Sequence, residues 1–135
     1  MAPPSDALPI DWRSVAPWFV VVMGASLVLL GLALPWRTQP AFDVETLGID
    51  MTGGKVVFGA AIALGAATYG DRGANNVVSF AMMAIAAVAT MALSILELAE
   101  TAGFGPGIEI GPGLWVGLAG SAIAMVGVIW RAVTR

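Results

Sequence analysis

"SVAPWFVVVMGASLVLLGLALPW" occupies residues 14–36, between Arg13 and Arg37, and contains no ionisable side chain. An apolar run of this length exceeds the roughly 20 residues an α-helix needs to cross about 30 Å of hydrocarbon. Two more runs share its character: residues 73–96, between Arg72 and Glu97, and residues 110–130, between Glu109 and Arg131. A fourth, residues 56–70 between Lys55 and Asp71, is shorter. It becomes long enough if it begins near Met51 and the Lys55 ammonium snorkels to the headgroups. The runs predict an all-α membrane protein, a four-transmembrane-helix bundle spanning 16–131 with helices at 16–36, 53–70, 75–98 and 112–131. Residues 1–15 and 132–135 are expected to form an N-terminal segment and a C-terminal tail in the cytoplasm.

Composition supports the same class. Hydrophobic residues make up 59% of the chain and charged residues only 11%, against about 25% charged in an ordinary soluble domain. So few charges leave most of the surface to be covered by lipid. With no Cys and no His, disulfides, thiolate metal sites and imidazole chemistry are excluded. A net charge of −3 argues against a nucleic-acid partner, because no basic patch meets a phosphate backbone. Arg outnumbers Lys five to one, and Ala, Gly and Val dominate. That bias is typical of high-GC prokaryotes, so the expected location is a prokaryotic plasma membrane.

Orientation follows from the segments between the runs. With both termini inside, the cytoplasmic side holds Arg13, Arg72, Arg131 and Arg135, and the external side only Arg37 and Lys55. Six of the nine acids fall outside: Asp43, Glu45, Asp50, Glu97, Glu100 and Glu109. This is the arrangement the positive-inside rule prefers. Trp12, Trp18 and Trp130 are expected as interface anchors on the inner side, with Trp36 and Trp115 on the outer. The first helix is expected to be retained rather than cleaved, since the preceding "MAPPSDALPIDWR" has two Asp against one Arg and a signal peptide wants a basic start.

Two short stretches are nearly alike. "GIDMTGG" at 48–54 and "GIEIGPG" at 107–113 each stand just before an even-numbered helix, and Trp36 to Gly48 and Ile95 to Gly107 are both 12 positions. They suggest an internal repeat of two tandem helical hairpins related by an axis along the membrane normal. Ile49-Asp50-Met51 and Ile108-Glu109-Ile110 alternate apolar and acidic, a strand period. Loops one and three are therefore expected to pair in a small external β-structure that satisfies backbone groups at the membrane surface. Gly113-Leu114-Trp115 resembles the GLW of claudin-type four-span proteins in those three residues. In claudins that motif stands in the first external loop with two cysteines; here it opens the fourth helix of a chain without Cys, so no family assignment follows.

Small residues mark the packing faces. Gly59 and Ala63, with Gly65 beside them, and Gly113, Gly117 and Gly120 allow close helix approach in lipid. Helices two and four are expected to meet through these faces or to present them to another subunit.

No enzyme chemistry is legible. The spans hold no acid–base pair, nucleophile with a base, or metal set, and no cofactor is expected. Glu97 and Glu100 lie on one helix face at i, i+3. With Glu109 or Asp50 they could bind a hard cation or contact a partner; the plainer reading is a solvated acidic rim. The expectation is a non-catalytic structural or accessory subunit associating with another membrane protein or with itself. A small oligomeric transporter or channel with Glu97 as coupling residue is the alternative, and an external ligand or stress sensor a third.

Overall fold

The computed structural model describes residues 12–74 and 76–135, the Trp12 side chain excepted. Four long helices, α1 (Trp12–Leu32), α2 (Thr52–Ala74), α3 (Val77–Ala102) and α4 (Pro112–Thr134), are joined by short segments. Three of them, α1, α3 and α4, are long and apolar enough to cross a membrane. α2 has the length, but its Gly, Ala, Thr and charged residues dilute its hydropathy.

The boundaries differ from the expected ones for local reasons. α1 stops at Leu32 instead of continuing to 36, because Leu34 precedes Pro35 and a residue before proline is pushed out of the helical region. Most of the expected N-terminal segment, residues 1–11, lies outside the described residues. α2 runs on to Ala74 and α3 to Ala102, which draws Asp71 and Glu100 into helices. α3 starts cleanly because the Asn76 side chain caps it, accepting from the Ser79 amide at 2.8 Å. α4 takes Pro112 in its first turn, where a missing N–H costs nothing. It reaches Thr134, so the expected tail is almost wholly helix.

The connections build a three-stranded antiparallel sheet in the order β2-β1-β3, from β1 (Pro35–Gln39), β2 (Val44–Leu47) and β3 (Glu109–Ile110). Loops one and three do pair: Arg37 lies opposite Ile110 and Thr38 opposite Glu109. The two similar stretches are not built alike, however. Gly48–Asp50 is a single 3₁₀ turn, whereas Gly107 has a positive φ of 98° ahead of β3. Their presumed equivalents differ too, since Trp36 lies in β1 and Ile95 within α3. The tandem-repeat pattern therefore has no counterpart in the local structure.

Helix neighbours also depart from the hairpin scheme. α4 packs most extensively on α1 and α2 on α3, while α2 and α4 do not form a face-to-face contact. The α1–α4 seam is a contact of backbones. A Cβ on Gly31 would lie 2.7 Å from the Gly113 carbonyl oxygen, one on Gly120 2.6 Å from that of Gly24, and one on Gly127 2.8 Å from the Val21 nitrogen. On α4 the seam reads Gly113, Gly117, Gly120, Ala124, Gly127, Arg131, and on α1 Pro17, Val21, Gly24, Val28, Gly31, both buried throughout. That alternation of four and three is a heptad, whose 3.5-residue period keeps one face toward the partner helix.

By contrast, Gly59 and Ala63 are exposed and Gly65 is half-buried, with open space beyond Gly59 and Gly65. These three are not packing residues within the chain. The core has two buried clusters: Val21, Leu64, Met83 and Ala124 toward one end, and Val28, Leu32, Trp36, Val57 and Leu114 under the sheet.

Trp36 corrects another expectation. It is 1% exposed, and its indole donates to the Gly31 carbonyl at 3.0 Å. It thereby adds a second donor, beside the Leu34 amide at 3.2 Å, to one of the carbonyls at the end of α1. Gly48 has no side chain because the Trp36 ring occupies that space. Trp115 and Trp130 do face outward.

Candidate functional site

Polar side chains gather at the two ends of the bundle, and each gathering is centred on an arginine. At the sheet end, β1 carries Arg37 across the top of α3. Its Nε donates to Thr101 Oγ1 at 3.0 Å, and its Nη2 lies 3.6 Å from Glu97 Oε2 and 3.7 Å from Glu100 Oε1. The guanidinium also stacks over Phe104, 4.5 Å from the ring centroid, a favourable cation–π geometry. Glu97 and Glu100 thus share one cation.

Glu97 is held further by α2. Its Oε1 lies where a Cβ on Gly53 would be, so only glycine admits the carboxylate against the first turn of that helix. The positive end of the helix dipole favours a carboxylate there. Oε2 is buried without a hydrogen-bond partner among the described residues, although Arg37 is near enough for an ion pair. A cleft of about 480 Å³ opens beside it, lined by Arg37, Asp50, Met51, Gly53, Glu97 and Glu100. Asp50 thus borders the same cleft as the glutamates. Glu109 does not; it is exposed on β3. Among the described residues no three acids converge as a metal-ligand set.

The opposite end holds a site that sequence reasoning missed. Asp71, in the last turns of α2, is fully buried. Its Oδ2 accepts from Trp18 Nε1 of α1 at 2.8 Å and from Arg131 Nε of α4 at 2.9 Å. The Arg131 guanidinium also lies 4.9 Å from the centroid of the Trp18 ring. Three helices meet on one carboxylate. Among the described residues, Asp71 Oδ1 is buried without a hydrogen-bond partner. Beside this group, Arg135 reaches over Phe80 of α3 at 5.1 Å. Trp18 is therefore half-buried and bonded inward rather than a free interface anchor. A partial signal was present: Arg131 continues the four-three spacing of Gly113, Gly117, Gly120, Ala124 and Gly127.

Chemically, neither cluster offers a nucleophile beside a base. Thr68, Thr90 and Ser94 donate to carbonyls one turn back on their own helices, at 2.7–2.8 Å. What the clusters do is clamp. One ties the sheet to α3 and the start of α2; the other ties α1, α2 and α4. The fold and these clamps define a mostly helical protein with three helices apolar enough to cross a membrane. No known family model, curated protein or solved structure matches the chain.

Proposed function

We propose that the chain is a four-span integral membrane protein, with its sheet outside and both termini in the cytoplasm of a prokaryotic cell, and that it serves as a non-catalytic accessory subunit. The observation that carries the partner reading is the outward face of α2. Of the four long helices it alone falls short of a membrane-spanning hydropathy, and Gly59, Ala63 and Ala66 expose its backbone away from the bundle. α2 also exposes Val56, Phe58 and Ile62, so its outward surface sets bulky apolar side chains around small ones. It can be approached closely by another helix, either of a larger membrane protein or of a second copy. α2 crosses the bilayer in this reading because α1 and α3 both run toward the sheet and α2 returns the chain between them.

The test is purification of the tagged protein from its native membrane in mild detergent, with mass spectrometry of what co-elutes. The expected result is a stoichiometric membrane protein that is lost from the Ala63→Leu variant. Elution as a lone monomer in both cases would remove the reading.

A second reading, a small oligomeric transporter or channel coupled through Glu97, has one observation in its favour: the buried Oε2, ion-paired to Arg37 but without a hydrogen bond among the described residues, beside an open cleft. Ionisable groups at membrane depth mark ion and proton paths in many transporters. Under that reading Glu97→Gln abolishes an ion- or drug-dependent phenotype without lowering expression. Unchanged flux in that variant would dismiss it.

A further inference from the structure

We infer that the groove between α1 and α2, at the end of the bundle opposite the sheet, binds one anionic phospholipid. The inference rests on the chain lying in a bilayer. The groove encloses about 350 Å³ between Trp18, Phe19 and Val22 on α1 and Gly65, Tyr69 and Arg72 on α2. Its lining is predominantly apolar. The polar groups in its wall are already engaged inward, the Trp18 indole with Asp71 and the Thr68 hydroxyl with the Leu64 carbonyl. The long axis of the groove therefore presents ring faces and aliphatic carbon.

At one end this changes. Tyr69 and Arg72 also bound a second cleft of about 350 Å³, together with Gly73, so the apolar groove shares two residues with a cleft of mixed polar and apolar lining. Arg37 and Arg131 are engaged by acids on neighbouring helices. Arg72, in the last turn of α2, is exposed and makes no ion pair among the described residues. A cation and a phenol at the mouth of an apolar groove are complementary to a phosphate headgroup with an acyl chain behind it. Basic pockets between membrane helices on the cytoplasmic side recognise anionic headgroups in this way, and tyrosine suits that depth because its ring is amphipathic. Gly65 sets the width: nothing lies within 4 Å of where its Cβ would stand, so the acyl chain can run along bare backbone.

Native mass spectrometry of the purified full chain tests this, titrating phosphatidylglycerol against phosphatidylcholine of identical acyl chains. The wild type should retain one phosphatidylglycerol at detergent levels that strip phosphatidylcholine, a preference of about five-fold for one basic contact. Arg72→Gln should reduce the preference to parity. Gly65→Leu, whose side chain enters the groove without touching the core, should weaken both lipids while leaving the melting temperature unchanged. Equal retention of the two lipids by the wild type would overturn the inference. So would both variants holding phosphatidylglycerol as the wild type does, or a preference that follows Lys55→Gln instead. Fractionation of the same cells separates the failures. A chain recovered in the soluble fraction refutes the membrane reading, whereas a membrane-bound chain without lipid preference refutes only this site.

Discussion

Replacing Arg131 by methionine isolates the clamp on Asp71. The carboxylate has no exposed surface, and its bonded oxygen has two donors, the Trp18 indole at 2.8 Å and the Arg131 guanidinium at 2.9 Å. Methionine preserves the bulk on the α4 seam and removes the positive charge. Asp71 is then a buried anion held by one neutral N–H, and removing one partner of a buried ion pair typically costs about 3–5 kcal/mol. That is a large share of the 5–15 kcal/mol by which folded domains are usually stable. Adding Asp71→Asn should help rather than harm. The amide oxygen still accepts from Trp18, and the uncompensated charge is gone, so about 1–3 kcal/mol should return. The assay is unfolding in mixed micelles by titration with a denaturing detergent, followed by near-ultraviolet circular dichroism. A single variant that loses under about 1 kcal/mol, or a double variant that loses the sum of both changes, would refute the reasoning.

The other predictions follow the same geometry. Gly120→Ala should lower stability by about 1–3 kcal/mol through overpacking, since its Cβ would meet the Gly24 carbonyl oxygen at 2.6 Å, whereas Gly117→Ala, with nothing within 4 Å, should be near neutral in the same titration. Trp36→Phe keeps a ring under the sheet but removes one of the two donors to the Gly31 carbonyl, leaving the Leu34 amide at 3.2 Å, a loss of about 1 kcal/mol read as a lower melting temperature. Cysteines at Thr38 and Glu109, which face each other across β1 and β3, should form a disulfide under mild oxidation, because paired antiparallel Cα atoms stand about 4.5–5.5 Å apart; the chain has no native Cys to compete. Failure to cross-link would place the two loops apart.

The four helices were legible because each is centred on a charge-free run, and such runs can be read without knowing any partner. What was not legible is tertiary. The α1–α4 seam required seeing a four-three alternation of glycines on one helix answered by another about 100 residues away, between Gly24 and Ala124 at its middle. Spacing-four stripes alone pointed to the wrong pair of helices. Asp71 read as a loop residue because charges normally sit outside a span; its burial depends on Arg131, 60 positions on. Trp36 read as an interface anchor because tryptophans favour headgroups, and nothing local tells such a residue from one lying under a sheet. The loop alternation correctly implied pairing between loops one and three, but β1 supplies the strand that receives both partners, and the proline that starts it also ends α1 early.

Cysteine accessibility tests the central claim that all four helices cross the membrane with the sheet outside. Thr46, in β2, and Gly73, in the last turn of α2, lie at opposite ends of α2, the helix whose composition argues least for a span. Each is replaced by cysteine in a chain that otherwise has none, and intact cells are treated with a membrane-impermeant thiol reagent. The account predicts that the Thr46→Cys protein is labelled and the Gly73→Cys protein only after permeabilisation. Labelling of both in intact cells, or of Gly73→Cys alone, would contradict it.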